Sequence, residues 1–221
     1  MTIRFKTLNG RARVLGTIVA VAGLMSLPGI ASAEEPIGTP IPTQVADGHT
    51  AESGWVNHRS DAVDHLVFGL SDGNSETFSI AARDDDEGAL LFTIEWRPGV
   101  RYLSYENGED FTFGIAPFLG GYAGTDESLY GYAGFGLEFV IEDNFVIMPN
   151  TAIGAYHRGE GRRLGSTLEF RSGLELAYRW DNDIQLGLAY HHLSNADIGD
   201  NNPGTEHLSV FLNIPLDGSI F

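Results

Sequence analysis

From about residue 65 the chain alternates. Apolar side chains take every second position over segments bounded by turn-forming residues, the period-two signature of β-strands with one greasy face. Nine segments carry the pattern: His65–Leu70, Glu76–Arg83, Ala89–Arg97, Phe111–Ala123, Tyr130–Ile141, Phe145–Tyr156, Thr167–Trp180, Asp183–Ser194 and Glu206–Leu216. Thr167–Trp180 is the clearest. Leu168, Phe170, Ser172, Leu174, Leu176, Tyr178 and Trp180 share one face, while Glu169, Arg171, Glu175 and Arg179 share the other with Thr167, Gly173 and Ala177. Ala89–Arg97 repeats it, with Leu90, Phe92, Ile94 and Trp96 against Thr93, Glu95 and Arg97. Tyr130–Ile141 does so again, with Phe135, Leu137, Phe139 and Ile141 against Gly134, Gly136 and Glu138. Glu142-Asp143-Asn144 and Asp181-Asn182 read as short turns. No amphipathic helix interrupts the series.

Such a series predicts an all-β protein, an eight-stranded antiparallel transmembrane β-barrel. Several segments run ten residues or more, near the ~9–11 that a tilted strand needs to cross a bilayer. Tyr178 and Trp180 suit an aromatic girdle at the membrane interface. Bacterial barrels have even strand counts. His65–Leu70 is the least regular segment, so Glu76–Arg83 is taken as the first strand. Asp84-Asp85-Asp86-Glu87 then forms the tip of the first hairpin. With a periplasmic N-terminus, odd strands run outward, the short turns lie in the periplasm and Asn195–Thr205 lies outside. Pro98–Asp110 is long for a periplasmic connection and fits this scheme badly. A soluble sandwich or lipocalin-like barrel, with the greasy face turned inward, shares the same periodicity.

The N-terminus bears on that choice. Arg4, Lys6, Arg11 and Arg13 precede an apolar run, Val14–Leu27, and a small-residue site, Ala31-Ser32-Ala33. Residues 1–33 are therefore expected to be a cleaved secretory signal peptide, with an uncleaved anchor as the other reading. Residues 34–75 are polar and rich in Pro and Gly, as in Pro36-Ile37-Gly38-Thr39-Pro40. They read as an irregular leader, and residues 76–221 as the barrel. The formal net charge of −17 argues against a nucleic-acid partner. With no cysteine there is neither a disulfide framework nor a thiolate metal site.

The candidate chemistry clusters near the end of the chain. In Asp183–Ser194, the apolar stripe Ile184, Leu186, Leu188, Tyr190 runs on into His192 and Ser194. In the next strand Glu206 precedes Leu208, Val210, Leu212 and Ile214 on one face. A serine hydroxyl needs a base to take its proton, and the base works best when a carboxylate fixes its tautomer. If the register sets residue 206 beside residue 192, His192, Ser194 and Glu206 form such a set on the oily face. Asn195 offers an amide donor for an oxyanion, and Asn202-Pro203-Gly204 shapes the return. His191 and His207 fall on the opposite face and read as structural; His157, near an outer loop, reads as an exposed bystander, with contact to a phosphate as the other reading. By spacing alone, an inert polar triplet at strand ends remains open. So do a structural or adhesive barrel and a soluble lipid-binding barrel.

His192-Leu193-Ser194-Asn195-Ala196, then Asn202-Pro203-Gly204 and Glu206, resembles the active-site signature of the PagL-type lipid A 3-O-deacylases. Leu164-Gly165, Leu168-Glu169-Phe170-Arg171-Ser172-Gly173, Glu95-Trp96-Arg97-Pro98 and Tyr130-Gly131-Tyr132-Ala133-Gly134 are also similar to that family, over roughly residues 76–216. The resemblance implies an eight-stranded outer-membrane barrel with its active site on the lipid-facing wall. It implies hydrolysis of the ester-linked chain at the 3 position of lipid A, with lipopolysaccharide of the outer leaflet as the partner. Ser194 would be the nucleophile, His192 the base, Glu206 its orienting acid and Asn195 a support for the oxyanion. No metal or cofactor is needed for that chemistry. Acidic outer loops would repel lipid A phosphates, so divalent cations are expected to bridge them.

Overall fold

The computed structural model describes residues 54–59, 63–73, 89–107 and 110–217. The expected signal peptide, Glu76–Arg83 and the Asp84–Glu87 tip lie outside these. Among the described residues ten strands form one antiparallel sheet: β1 (Gly54–Arg59), β2 (His65–Gly73), β3 (Ala89–Arg97), β4 (Arg101–Asn107), β5 (Phe111–Gly124), β6 (Leu129–Ile141), β7 (Phe145–His157), β8 (Leu168–Arg179), β9 (Gln185–Ser194) and β10 (Thr205–Pro215). Neighbours in the sequence pair from β5 through β10; β10 pairs with β2, β2 with β3 and β3 with β5, closing the ring. Eight strands form the wall: β2, β3 and β5 to β10.

The count of eight holds with different membership. His65–Gly73, set aside from sequence as least regular, is the first wall strand, pairing with both β3 and β10. Its inward positions include Val67, Gly69 and Ser71, which are small because the lumen there is tight. A Cβ on Gly69 would stand 3.1 Å from the Thr93 Cβ. Leader and barrel therefore meet earlier than residue 75. The stretch read as a long connection after Pro98 contains a strand, β4. β4 continues β3 along β5, pairing Tyr102 with Ile115 and Asn107 with Phe111. A register shift between Tyr102 and Tyr105, with Leu103 at φ 48°, breaks its alternation and hides it from the pattern. β1 pairs with β4 in turn.

Burial fixes which face looks where. The apolar stripes point away from the lumen and stay open: Phe92 is 57% exposed, Leu188 54% and Val210 53%. The charged stripes point in. Arg97 donates to Glu95 at 2.8 Å and across the lumen to Glu175 at 2.7 Å. Arg171 reaches Glu95 at 3.3 Å, Tyr132 donates to the same carboxylate at 2.9 Å, and Asn150 donates to Glu175 at 3.2 Å. Arg171 also lies over the Tyr132 ring, 4.0 Å from its centroid. This inverts a lipocalin, whose greasy face encloses a ligand. A wall of exposed leucines and phenylalanines around a core of paired charges is stable only where lipid covers the outside. The soluble alternatives are thereby set aside.

The core is filled. A cavity of about 30 Å³ beside Glu95, Arg97, Glu175 and His191 has room for about one or two waters. Toward the end bearing the 158–167 and 195–204 loops, Tyr122, Tyr130, Tyr156, Leu164 and Leu193 close the lumen as one buried cluster. The opposite end carries the short turns and the aromatic contacts Phe145–Tyr178 and Tyr178–Trp180, with centroids 5.7 and 5.3 Å apart.

Candidate functional site

β9 supplies two of the residues and β10 the third. Along β9, Gln185, Gly187, Ala189, His191 and Leu193 are buried, whereas Leu186, Leu188, Tyr190, His192 and Ser194 look outward. Alternation alone therefore sets His192 and Ser194 side by side on the lipid-facing wall, with Cβ atoms roughly 7 Å apart. The antiparallel register pairs Glu206 with His192. The Glu206 Oε1 lies 3.3 Å from the His192 Nδ1. The carboxylate is sheltered, at 6% side-chain exposure, and the ring is open, at 41%. A carboxylate on Nδ1 selects the tautomer with its proton there, leaving Nε2 as the basic nitrogen. Across the other edge of β9, Ser172 pairs with His192 and Phe170 with Ser194.

Two features of the return loop were not legible beforehand. Gly204 adopts φ +63°, and a Cβ there would come within 2.8 Å of the His192 Cε1. The loop backbone thus forms a wall against the ring. Asn-Pro-Gly signals a turn, but only the folded hairpin brings that turn against an imidazole. Asn195 is fully buried, and both of its amide hydrogens are engaged: Nδ2 donates to the Leu164 carbonyl at 2.7 Å and to the Asn201 carbonyl at 2.8 Å. Its backbone N–H donates to the Asn202 Oδ1 at 3.0 Å. Asn195 therefore ties the end of β9 to both outer loops. Its amide is spent on that task and is not a free donor to a substrate.

His191 and His207 sort by parity as expected. His191 is buried inside, its Nε2 3.7 Å from the Glu175 Oε1. His207 is buried edge-on to Tyr122, with centroids 5.2 Å apart. His157 is exposed at the end of β7. Among the described residues no group of three or more His, Asp or Glu is placed to hold a metal ion. Below the site, an apolar groove of about 670 Å³ runs along the outer wall past Leu176, Leu186, Leu188 and Val210. In sum, a paired imidazole and carboxylate share the oily exterior with a serine at the loop end.

The sequence model of the family described as "Lipid A 3-O-deacylase (PagL)" matches residues 91–215, more than half of the chain. Among solved structures, the crystal structure of the outer membrane enzyme PagL is similar, with 18% identity and a TM-score of 0.52, covering 68% of this chain and 99% of that one. The outer membrane protein Ail of Yersinia pestis is similar at 12% identity and a TM-score of 0.40, covering 70% of this chain and 100% of that one. No curated protein sequence matches the chain.

Proposed function

Since the chain belongs to the lipid A 3-O-deacylase (PagL) family, and so removes the 3-O-linked acyl chain of lipid A in the outer membrane, we propose that it does so by serine acyl transfer through Ser194, His192 and Glu206. The observation that carries this reading is the 3.3 Å contact between the Glu206 carboxylate and the His192 ring on the lipid-facing wall, one outward position from Ser194. Lipid A places its ester bonds where headgroup meets acyl chains. A nucleophile at the loop end of the outer wall meets that depth, provided the loop end faces the outside of the cell. The short turns then lie in the periplasm, following export by the signal peptide expected at residues 1–33.

The Ser194 Oγ attacks the ester carbonyl while the His192 Nε2 takes its proton, and Glu206 stabilises the imidazolium through Nδ1–H. The tetrahedral adduct collapses. The sugar 3-oxygen leaves with the proton from His192, and an acyl-serine remains. Water, deprotonated by the same nitrogen, attacks the acyl-serine and releases the fatty acid with Ser194 restored. The donor for the oxyanion is assigned to the Asn202 amide, whose oxygen is pinned by the Asn195 N–H and whose –NH2 is left for the substrate. Asn195 supports the oxyanion by positioning, holding the loop that carries Asn202.

The test is mass spectrometry of lipid A from cells expressing the protein or its Ser194→Ala variant. The unaltered protein should remove one ester-linked chain and the variant none. Equal loss of the chain with both proteins would refute Ser194 as the nucleophile.

A further inference from the structure

A second feature of the loop end is a cleft of about 460 Å³ between the 158–167 and 195–204 loops. Arg158 and Arg163 line it, with His157, Ser166, Thr167 and Asn201. These two arginines differ from four others that are described. In a chain with net charge −17, Arg97, Arg101, Arg171 and Arg179 are all in ion pairs. Arg158 and Arg163 make no ion pair among the described residues, and the Arg158 Nε is buried with no hydrogen-bond partner. A guanidinium hydrogen withheld from both water and protein is unfavourable unless a ligand accepts it. Asp200 is the acid on the lining; it is exposed, where solvent screens it.

The cleft adjoins the proposed reaction centre. Its Asn201 carbonyl accepts from Asn195, the residue after Ser194. Gly165, at φ +92°, presses so closely on Asn201 that no side chain fits between them. Thr167 accepts from the Tyr156 N–H at 2.7 Å and stands three residues beyond Phe170, the partner of Ser194. That is roughly 10 Å farther toward the loop end than the nucleophile, at strand rise. A molecule esterified at Ser194 depth would place its sugar headgroup at the cleft. Two guanidiniums and two hydroxyls lining one cleft match a phosphate's charge and its need for donors.

We propose that this cleft is a phosphate-binding subsite, in which Arg158 and Arg163 grip a phosphate monoester on the substrate's sugar headgroup while the ester faces Ser194. The assignment deepens the catalytic reading above and rests on it. It also gives an acidic protein a direct hold on an anionic lipid, in place of the bridging cations anticipated from composition.

The experiment compares unaltered protein with R158Q/R163Q on phosphorylated and on chemically dephosphorylated lipid A. Both substrates are presented in detergent micelles in phosphate-free buffer, and initial rates are read by mass spectrometry. The ratio of kcat/KM on phosphorylated to dephosphorylated substrate should fall at least about tenfold in the variant, carried by KM, as expected for loss of a charge-assisted contact. R158K/R163K should recover much of it, and heat-modifiable gel mobility verifies that each barrel is folded. An unchanged ratio in a folded variant overturns the proposal. So does an equal loss on both substrates that responds to added inorganic phosphate, which would assign the cleft to the free ion. The catalytic reading is judged separately: Ser194→Ala must be inactive on both substrates, whatever the arginine variants do.

Discussion

Replacing Gly204 with alanine separates the cost to the fold from the cost to the chemistry. The residue sits at φ +63°, where a Cβ costs about 1–2 kcal/mol. The added carbon would lie 2.8 Å from the His192 Cε1, 3.4 Å from its Nε2 and 3.2 Å from the Leu193 carbonyl oxygen. Ordinary carbon contacts are about 3.5–4.0 Å, so the ring must retreat by roughly 0.7 Å or more. The ring is the free end of a side chain on an open wall, so the retreat costs the barrel little. Catalysis tolerates it poorly: a misplacement of about 1 Å can cost on the order of 10²-fold in rate. The expected phenotype is a folded barrel, with normal heat-modifiable mobility, whose kcat falls about 10- to 100-fold. The assay is release of the 3-O-linked chain from lipid A in micelles, followed by mass spectrometry. Gly131→Ala is the control, since nothing lies within 4 Å of a Cβ there, and its rate should match the unaltered protein. A folded Gly204→Ala enzyme working at the normal rate would refute the placement of the His192 ring at the reaction centre.

Three further outcomes are expected. Glu206→Gln should lower kcat on the order of 10²–10⁴-fold with KM little changed, because the imidazole loses the anion that sets its tautomer; steady-state kinetics with normal turnover would remove Glu206 from the mechanism. Asn195→Ala strips the Leu164 and Asn201 carbonyls of their donor at 2.7 and 2.8 Å, about 1–3 kcal/mol for each acceptor left buried. Limited proteolysis should nick the 195–204 loop faster and turnover should drop, whereas unchanged protection would mean the loops are held by other contacts. Glu175→Leu leaves Arg97, 3% exposed, without its 2.7 Å partner across the lumen. Urea unfolding from lipid vesicles should register a loss of about 3–5 kcal/mol; an unshifted midpoint would show that the cross-lumen pair contributes nothing.

The alternation of Leu168–Arg179 could be read from the sequence because strand parity is local. Its Glu169, Arg171 and Glu175 are buried and its Leu174, Leu176 and Tyr178 are exposed, as alternation requires. The same rule put His192 and Ser194 on one face and sent His191 and His207 to the other. β1 and β4 escaped the rule, and β2 carried the pattern only weakly. In His65–Gly73 the inward positions carry small residues, and β4 is broken at Leu103, so neither presents a clean stripe. The partners of the Asn195 amide have no local signature, because its two acceptors, on Leu164 and Asn201, lie in loops whose approach no local pattern encodes.

By itself, then, the order of side chains determined which residues share a face, since successive positions in a strand point opposite ways whatever surrounds them. Which face meets lipid was settled only by closure of the sheet, which brought Arg97 and Arg171 against Glu95 and Glu175 inside and left the leucines outside. The pairing of Glu206 with His192 likewise awaited the folded hairpin. Register between strands is set by the turn and by the packing of the whole wall, and a slip of one residue would have turned the carboxylate to the opposite face.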